Sequence, residues 1–378
     1  MGTSRAGESP VPAPPTFAAA VLAAAILAAA LLAAPVPAAA QAVQGTVLQQ
    51  DSRDPVPGAI VALVGDGSAV HATTLTDDNG RYALRARAPG RFAVRVQRIG
   101  FRDTESPAFV LSAGATTEQD VLVAPEAIVL EGITALARRR CVARPADGAA
   151  VATLWEEARK SLQATALSRD RHRYRLLRYT RELAPDDLHV LGETRSVRSG
   201  EAGTSPLVSL PADRLLTQGF IEDTDSATMY YAPDAHVLLS DEFLDAYCFR
   251  LAGQATEEAG LVGLAFEPVS RRGPPAIEGT LWIDSASFEL RHLEYRYTRT
   301  ELPGGPVHRL GGRVEFESLP NGVRIVRGFW IRMPIIERRT VSWRLGQRTS
   351  LVMTGIMEEG GHVLSVTEAG PRIRPLPR

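Results

Sequence analysis

The side chains that could hold zinc or activate a nucleophile are scattered along this sequence. The seven histidines stand at positions 71, 172, 189, 236, 292, 308 and 362. No two of them form the His-x-His, His-x-x-Glu or His-Glu-x-x-His spacing that brings zinc ligands together. The sequence also contains no Gly-x-Ser-x-Gly elbow and no glycine-rich loop for a phosphate. We therefore expect no enzyme, no metal site and no cofactor.

Two acidic groups could bind a cation or transfer a proton. Residues 77–80, Asp-Asp-Asn-Gly, lack the alternating ligands and the distant bidentate glutamate of a calcium loop, and a tight turn explains them. Asp241, Glu242 and Asp245 form the second group, and paired carboxylates can perform acid–base chemistry. A short helix capped by Ser240 is the simpler interpretation.

The first 40 residues resemble a secretory signal. Phe17 to Ala34 is an unbroken apolar run, and Ala38 to Ala40 offer a small-residue cleavage site. An uncleaved membrane anchor is the alternative, but the richness in alanine and the two prolines that follow favour cleavage. We therefore expect a protein secreted across the inner membrane, located in the periplasm or associated with the cell envelope, with peripheral association with the outer membrane as an option.

Cys141 and Cys248 are the only cysteines. In an exported protein an even pair of cysteines is expected to be bonded. We predict a structural disulfide that attaches the segment before a helix to a later β-meander, and two unpaired thiols are the alternative. No Cys-x-x-Cys motif lowers the pKa of either thiol, so no redox role is expected.

The charge pattern gives no general attraction to nucleic acid, because the formal net charge is −1. Lys160 is the only lysine, so the basic residues are almost all arginine. Residues 171–180 combine dense arginine with Tyr174 and Tyr179, a composition that can bind nucleic acid by stacking. Acidic residues follow closely, including Glu193, and favour a strand whose arginines pair with carboxylates. We expect no nucleic acid partner.

The residues from Gln44 to Val123 alternate with the period of β-strands. Tyr82, Leu84 and Ala86 share one side of a strand while arginines occupy the other. Asn79 and Gly80 predict a hairpin turn before this strand, since both residues tolerate positive φ. Residues 59–64 are apolar at successive positions, which predicts a strand covered on both faces.

The same stretch resembles the carboxypeptidase regulatory-like domain family. The resemblance rests on Gly45-Thr-Val, Pro57-Gly-Ala-Ile-Val, Thr76-Asp-Asp-Asn-Gly-Arg-Tyr, Ala88-Pro-Gly-Arg-Phe, Gly100-Phe101 and Val121-Leu122, in the order and spacing of that family. It implies a seven-stranded, transthyretin-like β-sandwich. Members of the family accompany zinc peptidases and also precede envelope proteins without any peptidase, so the resemblance implies a fold and no activity.

The C-terminal part begins with a predicted helix over residues 147–166. Leu154, Trp155, Ala158 and Leu162 lie on one face at helical spacing, which predicts packing on a sheet. Glu156 and Lys160 stand four residues apart and predict an ion pair on the helix surface.

Residues 261–358 form a predicted antiparallel meander, with a hairpin turn at Asn321 and Gly322. We expect strands at 323–333, 340–345 and 348–357, among others. The motifs at 279–284 and 290–293 are similar to paired strands of the periplasmic lipoprotein carrier half-barrels. The Pro/Arg-rich end predicts a disordered tail at 361–378.

The sequence thus predicts a mainly β protein made of a sandwich, one linking helix and an antiparallel β-meander or half-barrel. The boundaries are 1–40 for the signal, 41–124 for the sandwich, 125–150 for a connector, 151–360 for the helix and β domain, and 361–378 for the tail. The leading functional hypothesis is a non-catalytic binding or scaffolding protein of the bacterial cell envelope, with an envelope protein as its partner.

Two alternative functions stay open at this point. The half-barrel could carry a lipid or another apolar ligand, and the sandwich could bind a glycan through exposed aromatic residues. Six aromatic residues of the C-terminal part would line either a filled core or an apolar cavity: Trp282, Phe288, Tyr295, Phe316, Phe329 and Trp330. In the sandwich, Tyr82 and Phe92 are expected to be buried, which weighs against the glycan hypothesis.

Overall fold

A computed structural model describes residues 41–126, 141–143, 150–200, 205–224, 227–254, 258–300, 306–343 and 346–368. The predicted signal and most of the predicted connector lie outside these residues. Among the helices within these ranges, none is long and apolar enough to cross a membrane.

Nine short strands form an N-terminal β-sandwich. They are β1 Ala42–Gln49, β2 Ile60–Val64, β3 Val70–Leu75, β4 Arg81–Arg85, β5 Gly90–Gln97, β6 Thr104–Glu105, β7 Phe109–Leu111, β8 Thr116–Glu118 and β9 Val121–Val123. One sheet has the order β4–β1–β8 and the other β3–β2–β5–β6, with β9 also on β1 and β7 also on β5. Because β6 and β7 share one neighbour, as do β8 and β9, the nine segments occupy the seven predicted strand positions.

The turn at Asn79 and Gly80 exists, but the predicted hairpin is wrong. Strand β3 pairs with β2 in one sheet, whereas β4 pairs with β1 in the other. The carboxylate Oδ1 of Asp77 accepts hydrogen bonds from the amides of Asn79 at 2.9 Å and Arg81 at 2.8 Å. Gly80 has a φ of 70°, so the left-handed residue is present while the chain crosses between the two sheets.

Buried Thr76 explains why the chain leaves the first sheet at this point. Its hydroxyl accepts from the Ala59 amide at 2.8 Å and donates to the Val56 carbonyl at 2.7 Å, which fixes the end of β3. The Val47 amide then bonds the Gly80 carbonyl at 2.8 Å and starts the pairing with β1. Local turn chemistry therefore predicted the turn residue but not the pairing partner.

The described residues after the sandwich contain four α-helices, α1 Ala150–Ser168, α2 Ala212–Gln218, α3 Ala235–Leu239 and α4 Asp241–Ala246. Short 3₁₀ turns cover Asp66–Ser68, Arg169–Arg171 and Val307–Arg309. The four predicted apolar residues of α1 are buried as expected, and the Trp155 ring lies 5.0 Å from that of Phe249. Residues 147–149, the first of the predicted helix, lie outside the described residues.

Ten antiparallel strands form the large C-terminal sheet. They are β10 Val142–Ala143, β11 His172–Leu183, β12 Val190–Ser199, β15 Tyr247–Gln254, β16 Leu261–Pro268, β17 Ala276–Asp284, β18 Leu290–Thr298, β19 Gly311–Ser318, β20 Arg324–Trp343 and β21 Gly346–Glu368. The spatial order runs from β10 through β15 to β21 and then to β11 and β12. A separate pair is formed by β13 Ile221–Asp223 and β14 Thr228–Tyr230.

The face of the sheet that packs against α1, called the inner face below, is filled with side chains. Apolar residues of the helices and of the strands form one buried core, which includes Leu154, Leu162, Leu238, Phe243, Phe249, Phe266, Leu281, Leu293, Val314 and Ile356. An acyl chain could enter this part of the described structure only by displacing those residues. The half-barrel is therefore a packed layer of helices and sheet.

Strand β20 is longer than predicted. The turn at Asn321 and Gly322 joins it to β19 as expected, and Gly322 has a φ of 75°. Strand β20 then continues through Pro334, which lies next to a β-bulge between Ile335 and Ile336. The predicted start of a tail at residue 361 is wrong, because residues 361–368 pair with β11. Residues 369–378 lie outside the described part of the chain.

Helix α1 joins the two domains through a buried ion pair. Lys160 Nζ lies 2.9 Å from Glu157 Oε1 and 2.9 Å from Asp103 Oδ1 of the sandwich. Glu157 Oε2 also accepts a hydrogen bond from the Gly100 amide at 3.0 Å. The predicted pair of Lys160 with Glu156 is wrong, since a buried carboxylate one turn away and a second domain compete for the ammonium group.

Apolar and backbone contacts extend this junction. Ile60 and Leu75 of the sandwich pack with Ala164 of α1, which explains why β2 is buried on both faces as predicted. The backbones of Gly58 and Gly322 meet so closely that a Cβ atom on Gly58 would lie 2.2 Å from the Gly322 carbonyl oxygen. The sandwich and the large sheet therefore form one packed unit across α1.

The structure joins Cys141 to Cys248 in a disulfide with a Cα–Cα distance of 5.2 Å. Strand β10 follows Cys141 directly and pairs with β15, where Ala143 lies opposite Cys248. The disulfide therefore attaches the end of the connector to the edge of the sheet that lies farthest from β12.

We predict that Lys160→Met lowers the free energy of unfolding by about 3 kcal/mol, because it leaves Glu157 buried without its cation. Burial opposes the charge of Lys160, but Glu157 and Asp103 outweigh it and raise the pKa of the ammonium group. The stabilisation is thus complete at neutral pH and is lost only as the pH rises through the raised pKa. Urea unfolding at pH 7 measures the effect, with Arg159→Met as the more exposed control. Equal losses in both variants would contradict the prediction.

We predict that Cys141→Ser/Cys248→Ser also destabilises the protein, by at most about 4–5 kcal/mol from the entropy of a closed loop of this length. Labelling of unfolded, non-reduced protein exported to its native compartment should find no free thiol. Two reactive thiols would show that the bond does not form there.

Candidate functional site

The most promising binding site is a cleft at the end of the large sheet where α1 no longer covers the inner face. It has a volume of about 350 Å³. Its lining comes from four neighbouring strands and from the segment at 206–208: Arg178, Tyr179, Thr180, Thr194, Arg195, Ser196, Arg198, Pro206, Leu207, Val208, Phe329, Ile331, Glu359 and Gly360. We call this the Arg178 cleft.

Strand register places the side chains of the cleft in two rows that cross the sheet. In the first row, Phe329 lies opposite Gly361, which lies opposite Arg178, which lies opposite Ser196. The second row runs from Ile331 through Glu359 and Thr180 to Thr194 by the same pairings. Residues directly opposite in antiparallel strands point to the same face.

Gly361 shapes the floor of the cleft. A Cβ atom at this position would lie 3.1 Å from Arg178 Cδ and 3.3 Å from Phe329 Cε1. Its absence lets the Arg178 guanidinium lie over the Phe329 ring, 5.1 Å from the centroid, in a cation–π contact. Arg178 Nη1 also donates to the Pro206 carbonyl at 3.4 Å, which ties the strand to the segment that closes one side.

The cleft combines an apolar floor with a positive rim. Phe329 and Leu207 are buried, whereas Val208 is 56% exposed. Three arginines line the site together with one carboxylate, Glu359. Arg195 is held by Glu193 in a bidentate pair at 2.7 and 2.8 Å. Within the described residues neither Arg178 nor Arg198 has a carboxylate within salt-bridge distance, so both can accept an anionic ligand.

On the outer face of the sheet, behind the cleft, arginines and carboxylates pair with one another. Glu358 is 3% exposed and bonds Arg181 at 3.2 Å and Arg332 at 2.8 Å. Arg181 lies 4.2 Å above the Tyr179 ring, and burial together with Glu358 raises the pKa of Tyr179 to about 12. This layer holds the strands together, and the predicted pairing of arginines with acids is correct here, since Arg181 also bonds Glu193.

The predicted aromatic residues divide between the two faces. Phe288, Tyr295, Phe316 and Phe329 belong to the buried core, as expected. The expectation is wrong for Trp282 and Trp330. Trp282 alternates with buried Leu281 and Ile283 and lies beside His292, while Trp330 carries Arg332 over its ring at 4.2 Å.

The predicted acidic and glycan-binding groups have structural roles. The Ser240 hydroxyl accepts from the Phe243 amide at 3.1 Å, so it caps the short helix that contains Asp241, Glu242 and Asp245. In the sandwich, Tyr82 and Phe92 are buried, and Phe101 and Phe109 pack against the same core. The sandwich therefore offers no exposed aromatic side chain within the described residues.

Among the residues that the structure describes, one group of side chains has the spacing of a metal site: Cys141, Cys248 and Glu267. The two sulfur atoms are bonded to each other, so they cannot act as thiolate ligands.

His292 lies 3.8 Å from both Glu258 and Glu294. Burial and the Arg313 guanidinium lower the pKa of His292, which is consistent with a neutral ring packed on the outer face.

The Arg178 cleft is not among the sites predicted from the sequence. The composition of the arginine-rich stretch at 171–180 indicates a basic strand but does not distinguish one arginine from another. Alternation along β11 separates Arg178, on the inner face, from Arg181, on the outer face. The position of residues 206–208 depends on packing against the strands, and the sequence carried no signal for it.

Solved structures with some similarity to this protein cover different shares of the chain, and two of them cover about a fifth of it. Group B streptococcus pilus 2b backbone protein is 12% identical, with a TM-score of 0.19 over 22% of this chain and 41% of that chain, so the chain spans about two fifths of its length. The 5-hydroxyisourate hydrolase of Klebsiella pneumoniae is 18% identical, with a TM-score of 0.19 over 22% of this chain and 85% of that one.

A LolA superfamily protein from Nitrosomonas europaea is 13% identical, with a TM-score of 0.26, and the match covers 60% of this chain and 94% of that chain. At these TM-scores the three similarities carry no argument about function. No curated protein matches the sequence. The family comparison is specific for the first domain: residues 42–124 match the carboxypeptidase regulatory-like domain and form a domain of that accessory, non-catalytic family.

Proposed function

We propose that the protein is an exported, non-catalytic binding protein of the bacterial cell envelope. We further propose that the Arg178 cleft takes a ligand with an anionic group and an apolar portion. The observation that carries the proposal is the arrangement of Arg178 above Phe329, beside the second unpaired arginine. A guanidinium group can bond the anionic group while the apolar floor covers the rest of the ligand.

Two features support a binding role over catalysis. The first domain belongs to an accessory family. The cleft contains hydroxyls, arginines and one glutamate, but its described lining contains no histidine, cysteine or carboxylate pair that could activate a nucleophile. The rigid junction through α1 would hold the cleft at a fixed position relative to the sandwich, as a scaffold requires.

Export is supported by the resemblance of residues 1–40 to a signal and by the disulfide. The alternative of a carrier with an internal lipid cavity receives less support, because the inner face is filled. An apolar ligand would lie in the open cleft at the end of the half-barrel and not in its interior.

We predict that dodecyl phosphate, below its micellar concentration, binds more tightly than either inorganic phosphate or uncharged dodecyl maltoside. Arg178→Ala should weaken its binding about tenfold, as expected for loss of one charged hydrogen bond, and added salt should weaken the wild type further. Arg175→Ala, on the same strand but outside the cleft, is the matched control. Isothermal titration calorimetry gives the affinities. Equal affinity of the wild type and both variants for dodecyl phosphate would contradict the site, and no binding of any probe would contradict the proposed ligand class.

We also predict that the purified mature protein shows no peptidase activity and no stoichiometric zinc. Elemental analysis and a peptide-library assay with and without a chelator test this. One zinc per chain, together with activity lost on chelation, would overturn the non-catalytic function.

A further inference from the structure

Within the part of the chain that the structure describes, strand β12 leaves one edge of the large sheet open. It is the last strand in the order, and every side chain from Val190 to Ser199 is exposed. The opposite edge is closed by the two-residue strand β10, next to the disulfide. Exposed edges usually carry lysine, proline or bulges that prevent pairing. Strand β12 has no lysine or proline, and its one bulge, at Leu191, leaves residues 192–199 regular.

We propose that β12 pairs with β12 of a second copy of this chain, antiparallel and about a two-fold axis through Thr194. In this register Glu193 lies opposite Arg195 of the second copy, and Arg195 lies opposite its Glu193. Gly192 lies opposite Ser196 of the second copy, and the two copies of Thr194 face each other. Opposite charges and paired threonines are both favourable across strands.

Charge selects this register over its neighbours. Side chains alternate between the two faces of a strand, and residues opposite each other in an antiparallel pair point to the same face. A two-fold pair of β12 strands can therefore change register only by moving its axis from one residue to the next. The next register in one direction places Glu193 opposite Glu193 of the second copy. The next in the other direction places Arg195 opposite Arg195 of the second copy. Like charges directly opposite are destabilising, so the proposed register lies between two unfavourable ones.

The pairing would also place two copies of the Arg178 cleft on one continuous face. Thr194, Ser196 and Arg198 line the Arg178 cleft and share one face of β12. The inner faces of the two copies would be continuous across the two-fold axis, with one cleft on each side of it. The pairing leaves both clefts open, so it does not depend on the proposed ligand.

Charge reversal tests the pairing without any ligand. The wild type should be a dimer in sedimentation equilibrium at tens of micromolar, and Arg195→Glu should weaken dimerisation at least tenfold. Glu193→Arg should do the same, although it also removes a partner of Arg181. An equimolar mixture of the two variants should form a heterodimer, and the double variant should dimerise like the wild type. Glu105→Arg, which reverses a paired charge on β6 of the sandwich, is the matched control.

A second measurement fixes the register. Thr194→Cys, oxidised at low concentration, should give a disulfide-linked dimer, whereas Thr228→Cys on exposed β14 should not. A wild type that remains monomeric at 100 micromolar, single reversals that dimerise like the wild type, or a mixture that forms no heterodimer would each overturn the proposal. Thermal unfolding of each variant identifies one that has merely failed to fold.

Discussion

The architecture depends on the ion pair between Glu157 and Lys160 within helix α1. Both side chains are almost fully buried, and each also contacts the sandwich, through Gly100 and Asp103 respectively. A charge buried in this way is tolerated only when its partner is in place. Helix α1 can therefore bury these two charges only when the sandwich is in position beside it. The same helix covers the inner face of the large sheet.

This arrangement explains why the protein has a cleft at one end and a filled interior elsewhere. Helix α1 and the shorter helices occupy the inner face, which removes the lumen that an acyl-chain carrier would need. The strands farthest from β10 extend beyond this cover, and their inner-face residues Arg178, Thr180 and Ile331 line an open cleft. Two local features give the cleft its chemistry. Gly361 leaves room for Arg178 to lie on the Phe329 ring, and Glu358 binds Arg181 and Arg332 on the outer face.

The sequence predicted those parts of the fold that depend on local periodicity. The burial of Leu154 and Trp155, the turn at Asn321 and Gly322 and the partnership of Cys141 with Cys248 were all accessible from pattern and context. Features that depend on distant partners were not. Asn79 and Gly80 form a turn whose flanking strands pair elsewhere, and Lys160 bonds a carboxylate of another domain. The cleft belongs to this second class, because it depends on the register of four strands and on a segment without periodicity.

The central claim is that the protein binds its ligand in the open cleft and keeps its core closed. Amide chemical-shift mapping of the isotope-labelled protein, titrated with dodecyl phosphate, tests it most directly. We predict shifts confined to residues 176–180, 194–198, 205–209 and 359–361, with α1 unchanged. Shifts along α1 and strands β15 to β18 would show that the interior opens to admit the dodecyl chain. That result would contradict binding in the open cleft.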